Sequence, residues 1–206
     1  MKILSALAAA AFAASVCAQS QTLSVDPAGV ALTYSNPGAN FFNLDVTNPA
    51  GITLQALTVQ LNSPANTPGT IEVWMRSGSH VGGEQAQATW TEISSGDVLA
   101  AALIQSCQNA ETVTAGIPSI FLPFGTYGMA VVYVGVDHVF DTVATPFPAG
   151  TFADPNLEVS SGSTQATAWV SAPLVNFTFN NVPYIGTLMQ FDLTYLVGQG
   201  GHACAS

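Results

Sequence analysis

The stretch that decides the fold reads Gly69-Thr-Ile-Glu-Val-Trp-Met-Arg-Ser-Gly-Ser-His-Val-Gly-Gly-Glu-Gln-Ala-Gln-Ala-Thr-Trp90. Its first half has a period of two, which places Ile71, Val73 and Met75 on one face of a β-strand. Its second half is rich in Gly and Ser and predicts a loop. Trp90 then begins the next strand. The pattern therefore predicts two strands joined by a long polar loop.

Short segments of the same kind recur through the chain, separated by Pro, Gly and Asn. They number about ten to a dozen, and no long linker interrupts them. Closely spaced strands without intervening helices are typical of a sandwich or barrel. The sequence therefore predicts an all-β fold, a single antiparallel β-sandwich (jelly-roll-like or Ig-like) over residues 19–196.

Two segments depart from a simple strand pattern. The segment 52–61 changes phase, which a β-bulge near Ala56 would reconcile. The segment 98–106 is rich in Ala and Leu and predicts the one helix, capped by Asp97, with a strand as the alternative.

The N-terminus has the pattern of a cleaved signal peptide, residues 1–18. A positive end precedes an Ala-rich apolar run, and Val16-Cys17-Ala18 offers small residues for cleavage before Gln19. A lipoprotein acylated at Cys17 is the alternative. The apolar run is short for a membrane anchor, so no membrane span is predicted. We expect a secreted protein, extracellular or periplasmic.

Two cysteines, Cys107 and Cys204, follow the predicted leader. An even count in an exported chain predicts one disulfide, and two cysteines allow one connectivity. The bond would tie the C-terminal tail, residues 197–206, to the middle of the chain. Two free thiols are the alternative.

The charge composition excludes some partners. Charged residues make up 7% of the chain and hydrophobic residues 49%. After residue 18, twelve acidic residues face Arg76 alone, a net charge of −11. Such a surface repels nucleic acids and anionic lipids. A glycan or a surface protein remains as the expected partner.

Catalytic motifs are missing from the sequence. It contains no Gly-x-Ser-x-Gly elbow and no His-Glu-x-x-His motif. The acidic residues are scattered, and no pair stands out as a glycosidase pair. No catalytic residue and no cofactor are predicted, although a triad assembled from distant residues stays open.

Calcium is the one metal that the sequence suggests. Asp137 and Asp141 flank His138 and would share a face of a strand, where their oxygens suit calcium. Solvated carboxylates at a strand end are the alternative. His80 and Glu84 are a second pair of candidate cation ligands.

The predicted ligand-binding residues are Trp74, Arg76, His80, Glu84 and Trp90. In a structural interpretation, Arg76 pairs with a nearby carboxylate, Glu72 or Glu84, and stacks on one of the two indole rings. In a functional interpretation, the same residues contact a ligand, and an exposed Trp stacks on a sugar ring.

The order of motifs resembles a family of uncharacterised secreted bacterial β-sandwich modules, often attached to surface or adhesive proteins. The resemblance covers residues 38–195 and rests on a strand ending in Arg, a Gly-Ser loop, a Val-Gly, a Glu and a Trp. Here these are Ile71–Arg76, Gly78-Ser79, Val81-Gly82, Glu84 and Trp90, preceded by Gly38–Val46 and followed by Pro123 to Val131 and Gly186-Thr187-Leu188.

The resemblance implies a secreted, non-catalytic β-sandwich protein with a structural, adhesive or cell-surface role. It carries over no catalytic residue. The chain departs from the family pattern at Pro183-Tyr184-Ile185, where members tend to have Arg and Trp. A carbohydrate-binding module, or a secreted hydrolase, is the alternative.

Overall fold

The computed structural model describes residues 19–26, 32–35, 38–61, 63–100, 111–142, 151–166 and 184–198. These residues form twelve β-strands and one 3₁₀ turn, and the all-β prediction is confirmed. The strands are β1 (Gln21–Val25), β2 (Leu32–Ser35), β3 (Gly38–Val46), β4 (Ile52–Leu61), β5 (Pro68–Ser77), β6 (Thr91–Leu99), β7 (Glu111–Leu122), β8 (Gly125–Val134), β9 (His138–Thr142), β10 (Leu157–Ala166), β11 (Tyr184–Leu188) and β12 (Phe191–Val197).

The strands pair antiparallel in one path, β1-β12-β4-β9-β11-β10-β3-β8-β5-β6, with β2 beside β9 and β7 beside β4. The path forms two antiparallel sheets packed against each other, so the predicted β-sandwich is confirmed. We call β1, β12, β4 and β7 the first sheet and β10, β3, β8, β5 and β6 the second sheet.

The main core lies between the two sheets. Phe42 and Leu44 of β3 are buried there, as their alternation predicts. The ring of Phe42 lies 4.5 Å from the ring of Phe191 in β12, which joins the two sheets. Fully burying a side chain of this kind contributes about 1.5 to 3 kcal/mol.

The bulge predicted near Ala56 is confirmed. The register between β4 and β7 shifts between Leu54 and Ala56. The shift lets apolar residues before and after it, Leu54 and Leu57, both reach the core.

The predicted helix at 98–106 is wrong where the structure describes it. Asp97 to Leu99 continue strand β6, the alternative considered, because β5 offers them a pairing edge; residues 101–106 lie outside the described part. Strand β10 has a register shift between Ser160 and Ser163 in its pairing with β3. Strands β11 and β12 are separated by Met189 and Gln190.

The signal peptide, Cys107, Cys204 and the tail beyond residue 198 lie outside the described residues. Cleavage and the disulfide therefore stay predictions. Within the part that the structure describes, no helix has the length and apolar character needed to cross a membrane.

Candidate functional site

Strand β8 is covered on both of its faces. Residues 128–133 are all buried, although successive side chains of a strand point to opposite faces. Met129 and Val131 face the main core. Ala130 and Val132 face the other way, into a small second core on the outer face of the second sheet. If one face of this sheet were exposed to solvent, only one of these two sets of side chains would be buried.

The strand register brings the predicted site residues to this outer face. Ala130 of β8 lies between Phe41 of β3 and Trp74 of β5. Gly128 lies in the same way between Asn43 and Arg76. The period of two that buries Ile71 and Val73 in the main core thus turns Trp74 and Arg76 outward.

Residues 78–90, the 78–90 loop, fold back over this outer face. Gly78 has a φ of 78°, which lets the chain turn, and its N–H donates to the carbonyl of Thr126 at 2.9 Å. The backbone N–H of His80 donates to Oδ1 of Asn43 at 2.9 Å. The indole N–H of Trp90 donates to the carbonyl of Gly83 at 2.8 Å. These bonds close the loop on itself and on the sheet.

The loop supplies the cover of the second core. Trp90 is 6% exposed, and its ring lies 5.6 Å from the ring of Phe41. His80 is 4% exposed and stacks over Phe41 at 6.4 Å. These aromatic contacts give the outer face an apolar centre that is shielded from water.

His80 and Glu84 bind each other. Nδ1 of His80 lies 2.9 Å from Oε1 of Glu84, and both residues are buried. The two side chains predicted as cation ligands are therefore engaged in closing the loop.

Arg76 stacks on an indole ring, as one prediction states. Its guanidinium carbon lies 5.8 Å from the ring centroid of Trp90. The predicted carboxylate partner is wrong, because Glu84 binds His80 and Glu72 binds Trp74. Nε and Nη1 of Arg76 are buried and have no hydrogen-bond partner in the described part of the chain.

Trp74 and Glu72 form the accessible margin of this site. Both are partly exposed, and the indole N–H of Trp74 donates to Oε2 of Glu72 at 2.9 Å. Burial raises the pKa of Glu72, and the nearby charge of Glu92 raises it further, against the opposing effect of the Trp74 hydrogen bond. Glu92 lies directly across from Trp74 on β6.

The structure brings Arg76, His80, Glu84 and Trp90 into one closed cluster, with Trp74 beside it. Sequence reasoning missed the residues that receive the loop. Asn43 holds the loop backbone, and Gly128 gives it room. The signal for Gly128 was present in the sequence, because it is a glycine inside an otherwise apolar strand.

The predicted calcium ligands receive little support. Asp137 precedes β9, and its N–H donates to Oγ of Ser63 at 2.7 Å. Burial raises the pKa of its carboxyl group, which disfavours the charged form. The side chain of Asp141 lies outside the described part. Across the described ranges, no group of three His, Cys, Asp or Glu residues is placed to hold a metal.

No family model matches the chain, and no curated protein matches it. Among solved structures it has likeness to "Structure of infectious bursal disease virus Gx strain", with 9% identity and a TM-score of 0.25 over 90% of this chain and 38% of that one. It also has likeness to "Structure of infectious bursal disease virus Gt strain", with 8% identity and a TM-score of 0.15 over 88% of this chain and 40% of that one. The chain thus spans under half the length of either. Likeness at these scores carries no argument about function.

Proposed function

We propose that this chain is a secreted, non-catalytic β-sandwich protein with a structural, adhesive or cell-surface role. The observation that carries the proposal is the closed cluster under the 78–90 loop. The side chains of His80, Glu84, Trp90 and Arg76 contact one another there and hold the loop against the sheet. A catalytic His would need a reachable substrate, whereas His80 is shielded beneath its own loop.

The surface composition also supports an adhesive role. Because charged residues make up only 7% of the chain, we expect Ser, Thr, Asn and Gln to supply most of its polar surface. On the first sheet, for example, the hydroxyls of Thr58 and Thr114 lie 2.9 Å apart at an exposed position. The cores of protein interfaces are depleted in charge, because desolvating a charge costs free energy. A surface with few charged side chains is therefore suited to contact with another macromolecule, provided that the partner is not itself strongly anionic.

The adhesive role is tested with beads that carry the folded chain, held under flow on a layer of bacterial cells. We expect these beads to stay where beads carrying the heat-unfolded chain wash off. Equal loss of both would refute the adhesive role. Turnover of ester or glycoside substrates that disappears in Glu84→Gln would refute the non-catalytic part.

Carbohydrate binding is the second candidate, and Trp74 favours it. Its indole is partly exposed, and the carboxylates of Glu72 and Glu92 lie beside it to accept sugar hydroxyls. Titration of soluble polysaccharides against Trp fluorescence tests the candidate. A saturable shift should be lost in Trp74→Ala and kept in Trp90→Phe, since Trp90 is buried. If no polysaccharide shifts the fluorescence, carbohydrate binding is refuted and only the structural or adhesive proposal stands.

A further inference from the structure

Arg76 is a cation that has no anion beside it. It is the only arginine of the sequence, and after residue 18 it faces twelve acidic residues with no lysine. Even so, within the described ranges no carboxylate is ion-paired or hydrogen-bonded to its guanidinium group. A guanidinium fork normally binds a carboxylate where one can reach it. The isolation of Arg76 therefore needs a physical reason.

Packing, rather than hydrogen bonding, holds the side chain in place. The guanidinium carbon lies 5.8 Å from the ring centroid of Trp90. A Cβ at Gly83 would lie 1.4 Å from Nη1, and a Cβ at Gly128 would lie 2.9 Å from Cγ of Arg76. The loop and the sheet thus fix the cation from two sides. A cation that is already positioned loses little conformational freedom when a ligand binds to it.

Two of the three guanidinium nitrogens lack a partner. Nε and Nη1 are buried and have no hydrogen bond among the described residues. Nη2 is not one of these buried atoms, and the side chain is half-buried, so the group opens to the surface at Nη2. Buried donors without partners are costly, and an absent ion is one explanation for them. Both edges of the guanidinium that can hold a planar carboxylate combine Nη2 with one of the two unsatisfied nitrogens.

Trp74 indicates what the carboxylate would be attached to. Trp74 and Arg76 lie two residues apart on the outer face of β5, so their side chains begin about 6 to 7 Å apart. The indole of Trp74 is partly exposed, and its hydrogen bond to Glu72 fixes its orientation. A six-membered sugar ring lying on the indole would carry its own carboxylate toward Arg76.

The surrounding acids limit how many charges a ligand can carry. Glu72 and Glu92 flank Trp74, and the chain after residue 18 has a net charge of −11. Such a field repels a phosphate dianion or a polymer with many carboxylates. A single carboxylate in contact with Arg76 gains more from the nearby cation than it loses to the distant acids. The charges thus favour one acidic sugar unit rather than a polyanion.

We propose that the outer face of β5 binds a uronic acid unit, with its carboxylate on Arg76 and its ring on Trp74. This inference rests on the second candidate function, carbohydrate binding, and names the class of sugar. A ligand of this size should bind with a Kd on the order of 1 mM. The unpaired charge then costs the free protein stability and is neutralised when the ligand binds.

The experiment follows the Nε–H cross-peak of Arg76 in a ¹H–¹⁵N NMR spectrum of the labelled full chain. Because the sequence has one arginine, this peak reports on Arg76 alone. We expect sodium D-glucuronate to displace the peak saturably, at an ionic strength held constant with NaCl. D-Glucose has no carboxylate, and N-acetylglycine has a carboxylate without a sugar ring. Each should bind at least about tenfold more weakly than glucuronate.

Two variants and a matched control test the residue itself through Trp fluorescence. Arg76→Met should lose the response to glucuronate, and Arg76→Lys should weaken it at least about tenfold, because a point charge does not reproduce the planar fork. Thr114→Glu is the control, since Thr114 is exposed on β7 of the first sheet. It lowers the net charge by one, as Arg76→Met does, and should keep the wild-type affinity.

Each other result would overturn the proposal in a distinguishable way. Equal binding of glucose and glucuronate would remove the carboxylate site and leave carbohydrate binding standing, whereas no response to either sugar would remove both. Equal binding of N-acetylglycine would replace the sugar with a peptide carboxylate. An equal displacement by NaCl would show an adventitious ion only. An equal loss of affinity in Thr114→Glu and Arg76→Met would show an effect of net charge.

Discussion

The backbone of His80 rests directly on Gly128. A Cβ atom at position 128 would lie 2.7 Å from the nitrogen of His80 and 2.9 Å from its Cα atom. A strand residue with any side chain would hold the loop away from the sheet. The seat of the 78–90 loop is therefore fixed by a glycine on a different strand, β8.

We expect Gly128→Ala to lower the free energy of unfolding by about 1 to 3 kcal/mol, because the new methyl group meets backbone that cannot rotate away. Urea unfolding measures the change. Gly96→Ala is the control, since nothing lies within 4 Å of a Cβ there, and it should be nearly neutral.

The loss of stability in Gly83→Ala should lie between those of Gly128→Ala and Gly96→Ala. A Cβ at Gly83 would lie 1.4 Å from Nη1 of Arg76, but that atom ends a flexible side chain. Equal effects for Gly128→Ala and Gly96→Ala would mean that the loop does not lie on the sheet.

Arg76→Met should leave the Tm unchanged or raise it. Methionine keeps contact with Trp90 and removes a charge whose Nε and Nη1 are buried without partners. Arg76→Ala removes the contact as well, and we expect it to cost about 1 to 2 kcal/mol. Thermal melts of the three proteins compare these effects. A large loss in Arg76→Met with recovery in Arg76→Lys would show that the charge itself stabilises the fold.

Glu72→Gln should stabilise the protein at neutral pH. The pKa of Glu72 is raised in the folded state, chiefly by burial, so the folded state holds its proton more tightly than the unfolded chain does. The stability that this proton contributes is present below the ordinary pKa of 4.5 and is lost as the pH rises through the folded value. The gain in Tm for Glu72→Gln should therefore appear above that window and vanish below about pH 4. Glu92→Gln should show a smaller gain of the same sign. A gain that is independent of pH would contradict the burial of this carboxylate.

Tyr195→Phe should destabilise the protein by about 1 to 3 kcal/mol, because it removes the hydroxyl that joins Asp154 to the buried Asn156. The Tyr195 hydroxyl donates to Oδ2 of Asp154 and accepts from Nδ2 of Asn156 at 3.0 Å. Burial and the Asp154 hydrogen bond raise the pKa of Tyr195 to about 12. The stabilisation that the neutral hydroxyl gives to the folded protein is therefore lost as the pH rises from about 10 to about 12.

Unfolding followed by circular dichroism at pH 8 and at rising pH checks both effects of Tyr195→Phe, since the variant should lose less stability over the alkaline range. Tyr127→Phe is the control, because the Tyr127 hydroxyl donates to the carbonyl of Pro123 at an exposed position. An equally small cost for both variants would contradict the buried network.

The strands were predictable where one face is wet and the other dry. Phe42, Leu44 and Val46 follow a period of two, and the phase change at Ala56 revealed its bulge. The helix expected after Asp97 failed because local propensity is weak where a neighbouring strand offers hydrogen bonds.

The candidate site was predictable in membership but not in arrangement. Arg76, His80 and Glu84 meet because they belong to one strand and the loop that follows it. Their partners were mistaken, since nothing in the spacing reveals that the loop folds onto Gly128. The pairing of Ser24 with Asp192 depends on contact between the first and last of the described strands, β1 and β12, which no local pattern encodes.

Strand β8 is hydrogen-bonded to β3 on one side and to β5 on the other, and it is covered on both faces. Local opening of a sheet edge or of a loop would therefore not expose its amide groups to water. In native-state hydrogen exchange, the amides of Met129 to Tyr133 should therefore exchange only when the whole domain unfolds. The exchange rate of this strand therefore measures the free energy of global unfolding, and the change in that rate gives the stability change of each variant above.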